Sequence, residues 1–279
     1  MSDTMQEQLP TSYSEPRRFA GLNYLGLWTL YKREVGRFIK VAMQTLFAPA
    51  VSTLLLMTVF KLAFGNRGEL QGDFEGIAYQ DFLAPGLVIM AILQNAFQNT
   101  SSSLTISKVQ GTSVDFLMPP LSPLELTVGF IAGAATRGVM VGAITGIAIQ
   151  LLGLADLSIV HFWALAWHAL MASIILGAIG AMGGIWADKF DHLAAVTNFV
   201  IVPLTFLSGT FYDVKVLAEP FQTLAHWDPI FYLIDGFRFG FLGVANSNIG
   251  VGLAVTGGLA LFTSFLVWLM FKSGYKLKA

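Results

Sequence analysis

The residues best suited to chemistry in this sequence are polar side chains inside long apolar runs. On a helix, residues 94 and 98 share one face and residues 95 and 99 share another, because side chains four positions apart overlap. A polar lining of a passage and hydrogen bonding between neighbouring helices explain these residues equally well. The candidates for lining a passage are Gln94, Asn95, Gln98, Asn99, Thr197 and Asn198.

A single cation, Arg137, lies well inside another apolar run, Leu124–Leu152. Charge is costly in hydrocarbon, so Arg137 either extends to the membrane surface, pairs with a structural partner or binds a substrate. The first two explanations are favoured over the third. No acidic residue lies in the middle of an apolar run, as ion-coupled carriers commonly require. The energy for any transport is therefore expected to come from another source.

Patterns for catalysis and for metal binding are missing from the sequence. There is no cysteine, which excludes disulfides and thiolate metal sites, and the four histidines are scattered. His161 and His168 lie beside Trp163 and Trp167, a pattern typical of an outer aromatic belt. No Gly-rich loop ends in Gly-Lys-Ser/Thr, so no nucleotide site of that kind is expected. We expect no metal site and no cofactor bound by this chain.

The elements that must position these residues are membrane helices. The 279-residue chain is 55% hydrophobic and only 12% charged, whereas soluble domains carry about a quarter charged residues. Its net charge of −1 gives no reason to expect nucleic acid as a partner. We predict an all-α integral membrane protein with six transmembrane helices. The runs of sufficient length, which is about 20 residues, are Val41–Phe64, Phe82–Leu104, Leu124–Leu152, Ile159–Trp186, the shorter Leu193–Leu207, and Val251–Phe271.

The remaining segments complete the domain prediction. Residues 1–20 are polar and are predicted to be a flexible cytoplasmic N-terminus, without a cleaved signal. Residues 21–40 predict an amphipathic helix in the membrane interface, favoured over a helical start of the first span. Residues 41–279 form the six-span domain, in which the aromatic, proline-broken segment 208–250 predicts short re-entrant helices in preference to a seventh span. The charged and aromatic residues of the interfacial helix include Trp28, Lys32, Arg33, Glu34 and Arg37.

The distribution of basic residues predicts the orientation. With the N-terminus inside, eleven of the sixteen Lys and Arg residues fall on the cytoplasmic side. Both termini are then cytoplasmic, and the connection Ile106–Pro123 is an inner loop. It carries too much apolar surface for such a loop. Gly111 and the residue after it can start a helix of about two turns, and Pro119 stops it. That helix either lies on the membrane or fits a groove of another protein.

Several motifs, in their order and spacing, resemble the membrane subunit of type-2 ATP-binding-cassette (ABC) exporters. The resemblance covers the chain from about Leu22 to its end and is closest to bacterial inner-membrane permeases of the polysaccharide and multidrug export group. The motifs are Phe82–Gly86, Gly111–Pro119 followed by Ser122–Glu125, Arg137-Gly138, Phe206–Tyr212 and Asp228–Arg238.

The resemblance implies partners and a mechanism. Residues 21–40 would be the connecting helix, and the inner loop would form a coupling helix that docks into a separate ATPase. Two permease copies and two ATPase copies would assemble, with ATP and Mg²⁺ bound by the ATPase. Cargo would pass between the permeases, chiefly along the first, second and fifth spans. The implied ATPase-coupling residues are Gly111, Val114, Asp115, Phe116, Leu117, Met118 and Pro119.

Other functions compete with this one. An ion-coupled secondary carrier would need a central carboxylate, and a membrane-embedded enzyme would need convergent His, Asp or Ser residues. A structural scaffold of an envelope complex would need neither. The sparse charge within the spans favours an amphipathic or lipid-linked cargo over a small ion.

Overall fold

The computed structural model describes residues 21–64 and 74–276, so the segment predicted as a flexible N-terminus lies outside the described residues. Every regular element of the described part is helical, as predicted. The α-helices are α1 Tyr24–Ile39, α2 Ala48–Phe64, α3 Tyr79–Val109, α4 Val114–Leu117, α5 Pro123–Leu151, α6 Phe162–Trp186, α7 Phe190–Val196, α8 Val202–Leu207, α9 Phe221–Trp227, α10 Pro229–Leu242 and α11 Ile249–Ser273.

Within the described residues, five helical segments are long and apolar enough to cross a membrane, judged by length and composition. They are Met43–Phe64, Pro123–Leu151, Phe162–Trp186, Phe190–Leu207 and Ile249–Ser273. The predicted second span falls in α3, which has 31 residues but a low hydropathy because polar side chains interrupt it. Length and composition therefore give five candidate spans among the described residues, and the sixth span stays a prediction.

Two of these segments contain a π-helical turn that ends two residues before a proline. Met43–Phe47 precedes α2, whose second residue is Pro49, and Thr197–Ile201 joins α7 to α8 just before Pro203. A proline ring clashes with the carbonyl group four residues earlier and leaves it without its N–H partner, and a wider turn relieves the clash. We name the continuous segment Phe190–Leu207 the α7–α8 helix.

Helices α3, α5 and α6 form the centre of the molecule, and glycines allow their backbones to meet. A methyl group at Gly180 of α6 would lie 2.3 Å from the carbonyl oxygen of Phe97, and one at Gly184 would lie 2.9 Å from that of Ser101. Such distances leave no room for a side chain. Gly180 and Gly184 thus allow close packing of α6 against α3.

The N-terminal helix α1 lies along α5. Gly129 accommodates the Leu30 side chain, and Gly133 accommodates that of Glu34, whose Cβ would be 2.7 Å from an added methyl group. At the start of α1, the backbone N–H of Asn23 donates to the Glu125 carboxylate. A turn after Ile39 separates α1 from the first span, so α1 is a distinct helix, as favoured from the sequence. Its position in a membrane interface stays a prediction.

The segment 208–250 holds the short α-helices α9 and α10 and the 3-10 helix Val214–Val216 instead of a seventh span. Asp228 caps α10 by accepting a hydrogen bond from the N–H of Ile230 at 2.9 Å, and Pro229 fills the first helical position. With 14 residues, α10 is about 21 Å long, which is shorter than the roughly 30 Å hydrocarbon core of a bilayer. It packs against α6 and α3. Its re-entrant placement in a membrane stays a prediction.

Candidate functional site

The inner loop contains a single helical turn. Helix α4 spans only Val114–Leu117, so the predicted length of about two turns was wrong. The reason lies in its flanks. Gly111 adopts a left-handed φ of +69° and ends α3. The N–H of Thr112 then donates a hydrogen bond to the carbonyl oxygen of Ser107 at 2.8 Å. Proline at position 119 then stops α4 after one turn.

The apolar side chains of this turn divide into two groups. Phe116 is 1% exposed and packs edge-on against Phe130 of α5, with ring centroids 5.4 Å apart. The guanidinium of Arg33 in α1 lies 5.8 Å from the centroid of the same ring. By contrast, the exposed fractions are 50% for Val114, 39% for Leu117 and 78% for Met118. Phe116 therefore holds α4 on the rest of the chain, and the other three side chains are available to a partner.

The charged and aromatic residues predicted for the connecting helix α1 also divide into two groups. Trp28 and Lys32 are exposed, whereas Glu34 is completely buried beneath Gly133. Burial raises the pKa of the Glu34 carboxyl group above 4.5, and the nearby guanidinium of Arg37, at 3.5 Å, opposes that shift. Ser103 donates a hydrogen bond to the same carboxylate at 2.9 Å. Glu34 is thus an internal charge of α1 that faces α3 and α5.

Arg37 connects α1 to α3. Its Nη2 donates to the carbonyl oxygen of Asn99 at 2.6 Å and to the Asn99 side-chain Oδ1 at 3.1 Å, and its Nη1 donates to Ser102 at 3.2 Å. Burial lowers the pKa of Arg37, and the carboxylate of Glu34 opposes this shift. With these contacts α1 is fixed to the polar part of α3 as well as to α5.

The polar residues of α3 face two different environments. Asn95 and Asn99 are buried, and their amide oxygens accept hydrogen bonds from Arg137 and Arg37, respectively, at 3.0 and 3.1 Å. This inner face therefore serves hydrogen bonding between helices. Gln94 and Gln98, one position earlier, line a cleft of about 360 Å³ between α3 and the first span, and Asn95 borders the same cleft. The two pairs therefore differ in burial, but the surfaces that they face are only partly separate.

One of the two fifth-span candidates lines a second cleft. The Thr197 hydroxyl donates to the carbonyl oxygen of Leu193 within its own helix at 2.9 Å and lines a cleft between α3 and α7. Asn198 is exposed on the surface of the chain. Whether the six candidate residues contact cargo stays a prediction.

Arg137 lies inside the protein. It is 6% exposed and donates through Nη2 to the side chain of Asn95. The explanation that Arg137 extends to the membrane surface, one of the two favoured from the sequence, is therefore wrong. The hydrogen bond to Asn95 agrees with the other favoured explanation, a structural partner inside the protein. It also lines the cleft between α3 and α7. The third span packs too closely against α3 and α6 for its guanidinium to reach the surface.

A second buried arginine connects three of the sequence motifs. Arg238, in the aromatic segment 208–250, is 2% exposed. It donates to the carbonyl oxygens of Phe82 at 3.2 Å and Gly209 at 2.8 Å, and its guanidinium lies 3.7 Å from the centroid of the Phe82 ring. Gly86 approaches the same region, since a methyl group there would lie 2.6 Å from the carbonyl oxygen of Thr210. The start of α3, the turn after α8, and α10 are thus held together.

The interpretation of both histidines as an outer belt was wrong for one of them. His161 stacks on Phe239 with centroids 4.6 Å apart. His168 is completely buried and packs against Gly236, where a methyl group would overlap its ring, while its Nδ1 lies 2.8 Å from the carbonyl oxygen of Ala164. Within residues 21–64 and 74–276, no group of three His, Cys, Asp or Glu residues is close enough to hold a metal ion.

Sequence comparison identifies the family in which these features occur together. The sequence profile described as "ABC-2 type transporter" matches residues 26–242, from α1 to the end of α10. The chain belongs to the ABC-2 type transporter family. This ABC-2 permease is 30% identical over 261 residues to the inner membrane transport permease YadH of Escherichia coli (strain K12), covering 92% of this chain and 99% of that protein. The resemblance inferred from the motifs is thereby confirmed at the level of the family.

More distant relatives of this ABC-2 permease cover most of its length as well. It is 27% identical over 240 residues to nodulation protein J of Rhizobium leguminosarum bv. viciae, covering 84% of this chain and 88% of that protein. It is 26% identical over 250 residues to nodulation protein J of Bradyrhizobium diazoefficiens, covering 86% and 92%. The chain is therefore the multi-pass membrane subunit of a transporter.

Proposed function

We propose that this permease is the transmembrane subunit of an ATP-driven exporter and is coupled through α4 to an ATPase on a separate chain. The observation that carries the proposal is the division of α4, in which one buried ring anchors the turn and three apolar side chains remain exposed. An exposed apolar group on a rigidly held turn is suited to a groove of another protein. Two ATPase copies, each with ATP and Mg²⁺, would serve two permease copies.

The contacts of α4 suggest how a movement of the ATPase would reach the spans. Phe116 contacts α5 through Phe130 and α1 through Arg33. Helix α1 is in turn connected to α3 through Arg37 and Asn99. A displacement of α4 would therefore move α1, α5 and the polar part of α3 together, because close-packed protein interiors are hardly compressible and transmit strain.

A second copy of the chain would complete the translocation path. Helix α2 and the α7–α8 helix are the most exposed of the apolar segments, with only 17% of each spanning stretch buried. We propose that these helices, together with α3 as a sixth span, face the partner copy and the cargo. Their exposed apolar side chains include Val51, Leu55, Val59 and Leu62 on α2, and Phe199, Val200, Leu204 and Phe206 on the α7–α8 helix.

We place this assembly in the bacterial inner membrane with both ends of the chain in the cytoplasm. Support comes from the relative named as an inner membrane transport permease and from the excess of basic residues on the side of α1 and α4. The cargo is proposed to be amphipathic or lipid-linked, because few charges occur within the spans.

The test changes the exposed part of α4 and leaves its anchor in place. Met118→Asp combined with Val114→Asp would put two charges into an apolar contact, and we expect at least a tenfold loss of ATPase association. Binding is measured by co-purification from membranes that contain both chains. The matched control is Val216→Asp, which changes a residue that is also exposed but lies in the turn between α8 and α9. Unchanged association of the α4 variant would refute docking through this turn.

A further inference from the structure

Arg137 differs from Arg37 and Arg238 in having no counter-ion among the described residues. Arg37 has the carboxylate of Glu34 at 3.5 Å, and Arg238 has Asp235 in its electrostatic environment. Within residues 21–64 and 74–276, no carboxylate lies at ion-pair distance from Arg137. A buried charge without a partner is unfavourable, so the position is suited to an external anion.

The hydrogen bonds of Arg137 are incomplete as well. Nη2 donates to Asn95 at 3.0 Å, while Nε is buried and has no hydrogen-bond partner. A guanidinium forms its strongest contacts when two adjacent N–H groups meet two oxygen atoms of one oxyanion. Asn95 supplies one neutral oxygen. The remaining N–H groups are therefore available to a phosphate-type ligand.

A cleft of about 250 Å³ gives such a ligand access to Arg137. It lies between α3, α5 and α7, and its wall includes polar groups at Gln98, Ser101 and Thr197. The amide of Gln98 is exposed, so it can also donate to an oxyanion. The Ser102 hydroxyl contributes less, because it already donates to the carbonyl oxygens of Gln98 and Asn99.

We propose that this cleft binds an oxyanion of the phosphate type on the guanidinium of Arg137. The oxyanion is either a free ion or the head group of an amphipathic molecule whose apolar part lies against the exposed surface of the α7–α8 helix. A link between this site and the cargo rests on the proposed function. Binding of the anion by the purified chain does not.

The experiment measures the thermal stability of the purified full-length permease in detergent, without any ATPase. Inorganic phosphate is titrated against potassium chloride of equal ionic strength. Dihexanoyl phosphatidic acid is compared with dihexanoyl phosphatidylcholine, which has the same chains but a zwitterionic head group. A ligand that binds only the folded state at about 100 times its Kd should raise the Tm by roughly 5 °C. A response to phosphate indicates a free ion, and a response confined to phosphatidic acid indicates a head group.

Three variants decide whether the response belongs to the cleft. Arg137→Gln removes the charge, and Ala194→Phe fills the cleft from α7 without changing Arg137; each should abolish the anion-dependent rise in Tm. Lys40→Gln removes an exposed cation at the end of α1 and should keep the full response. The proposal is overturned if the wild-type chain responds to neither probe, or if Arg137→Gln and Ala194→Phe both respond as the wild type does.

Discussion

At the scale of single residues, the apolar character of the side chains in α4 did not show which of them pack inside the protein and which are exposed to a partner. Phe116, Leu117 and Met118 are adjacent and all apolar, yet Phe116 is buried and Met118 is the most exposed of the three. The difference depends on Phe130 and Arg33, which lie on other helices and are brought to this place by the fold. A change at Phe116 therefore tests stability, and a change at Met118 tests docking.

We predict that Phe116→Ala lowers the free energy of unfolding by about 3–5 kcal/mol, as expected when a large ring is removed from a packed interior. Met118→Ala should change it by less than about 0.5 kcal/mol, because that side chain is exposed. Denaturation of the purified permease in detergent measures both values. Equal effects of the two substitutions would contradict the division of α4 into an anchor and a contact surface. An aspartate at position 116 would for the same reason disturb folding and not only coupling.

Glu34 predicts a dependence of stability on pH. Its pKa is raised in the folded state by burial, so the folded chain binds the proton more tightly than the unfolded chain does. By linkage, stability is highest where the carboxyl group is protonated in both states and falls as the pH rises from about 4.5 through the raised pKa. Glu34→Gln cannot ionise and should lose this component of the slope.

The measurement is the Tm of wild-type permease and of Glu34→Gln from pH 4 upward. The difference between the two curves isolates the carboxyl group, since every other titrating group is shared. A constant difference across the pH range would show that burial does not perturb Glu34.

At the scale of elements, helix packing depends on glycines whose importance differs from place to place. A methyl group at Gly180 would overlap the backbone of α3, whereas one at Gly258 of α11 would meet no atom within 4 Å. Gly180→Ala should therefore lower the free energy of unfolding by about 1–3 kcal/mol through overpacking. Gly258→Ala should leave it unchanged or raise it by up to about 1 kcal/mol, because alanine favours the helix.

Thermal unfolding in the same detergent compares the two alanine variants under identical conditions. Both change one glycine on an apolar helix, so their general effects on hydropathy match. If Gly180→Ala were as stable as Gly258→Ala, the close contact between α3 and α6 would not exist in the folded protein.

The sequence predicted elements better than it predicted partners within the fold. Apolar runs and prolines located the helices, whereas the four-residue spacing on α3 separated the polar pairs only in part, because Asn95 borders the same cleft as Gln94 and Gln98. The burial of Arg238 and of His168 was missed, because it depends on carbonyl groups and glycines from distant parts of the chain. A basic residue in an aromatic segment resembles an interfacial anchor until its acceptors are known. Gly236, which leaves room for the His168 ring, was a possible signal for the burial of that histidine.

At the scale of the whole molecule, the described chain has a rigid centre and exposed flanks. Helices α3, α5 and α6 pack through glycines, whereas α2 and the α7–α8 helix leave most of their apolar surface open. That distribution suits a subunit that pairs with a second copy and is driven from one end. Family membership is established by comparison, while coupling to an ATPase is the part that requires a direct test.

The most direct measurement of that coupling is the mass of the complex purified from native membranes through a tag on the full-length permease. We expect two permease chains together with two copies of a separate ATPase, and ATP hydrolysis in the preparation. Permease that is purified under mild conditions as a dimer or monomer, with no ATPase chain and no ATP hydrolysis, would contradict the proposed function.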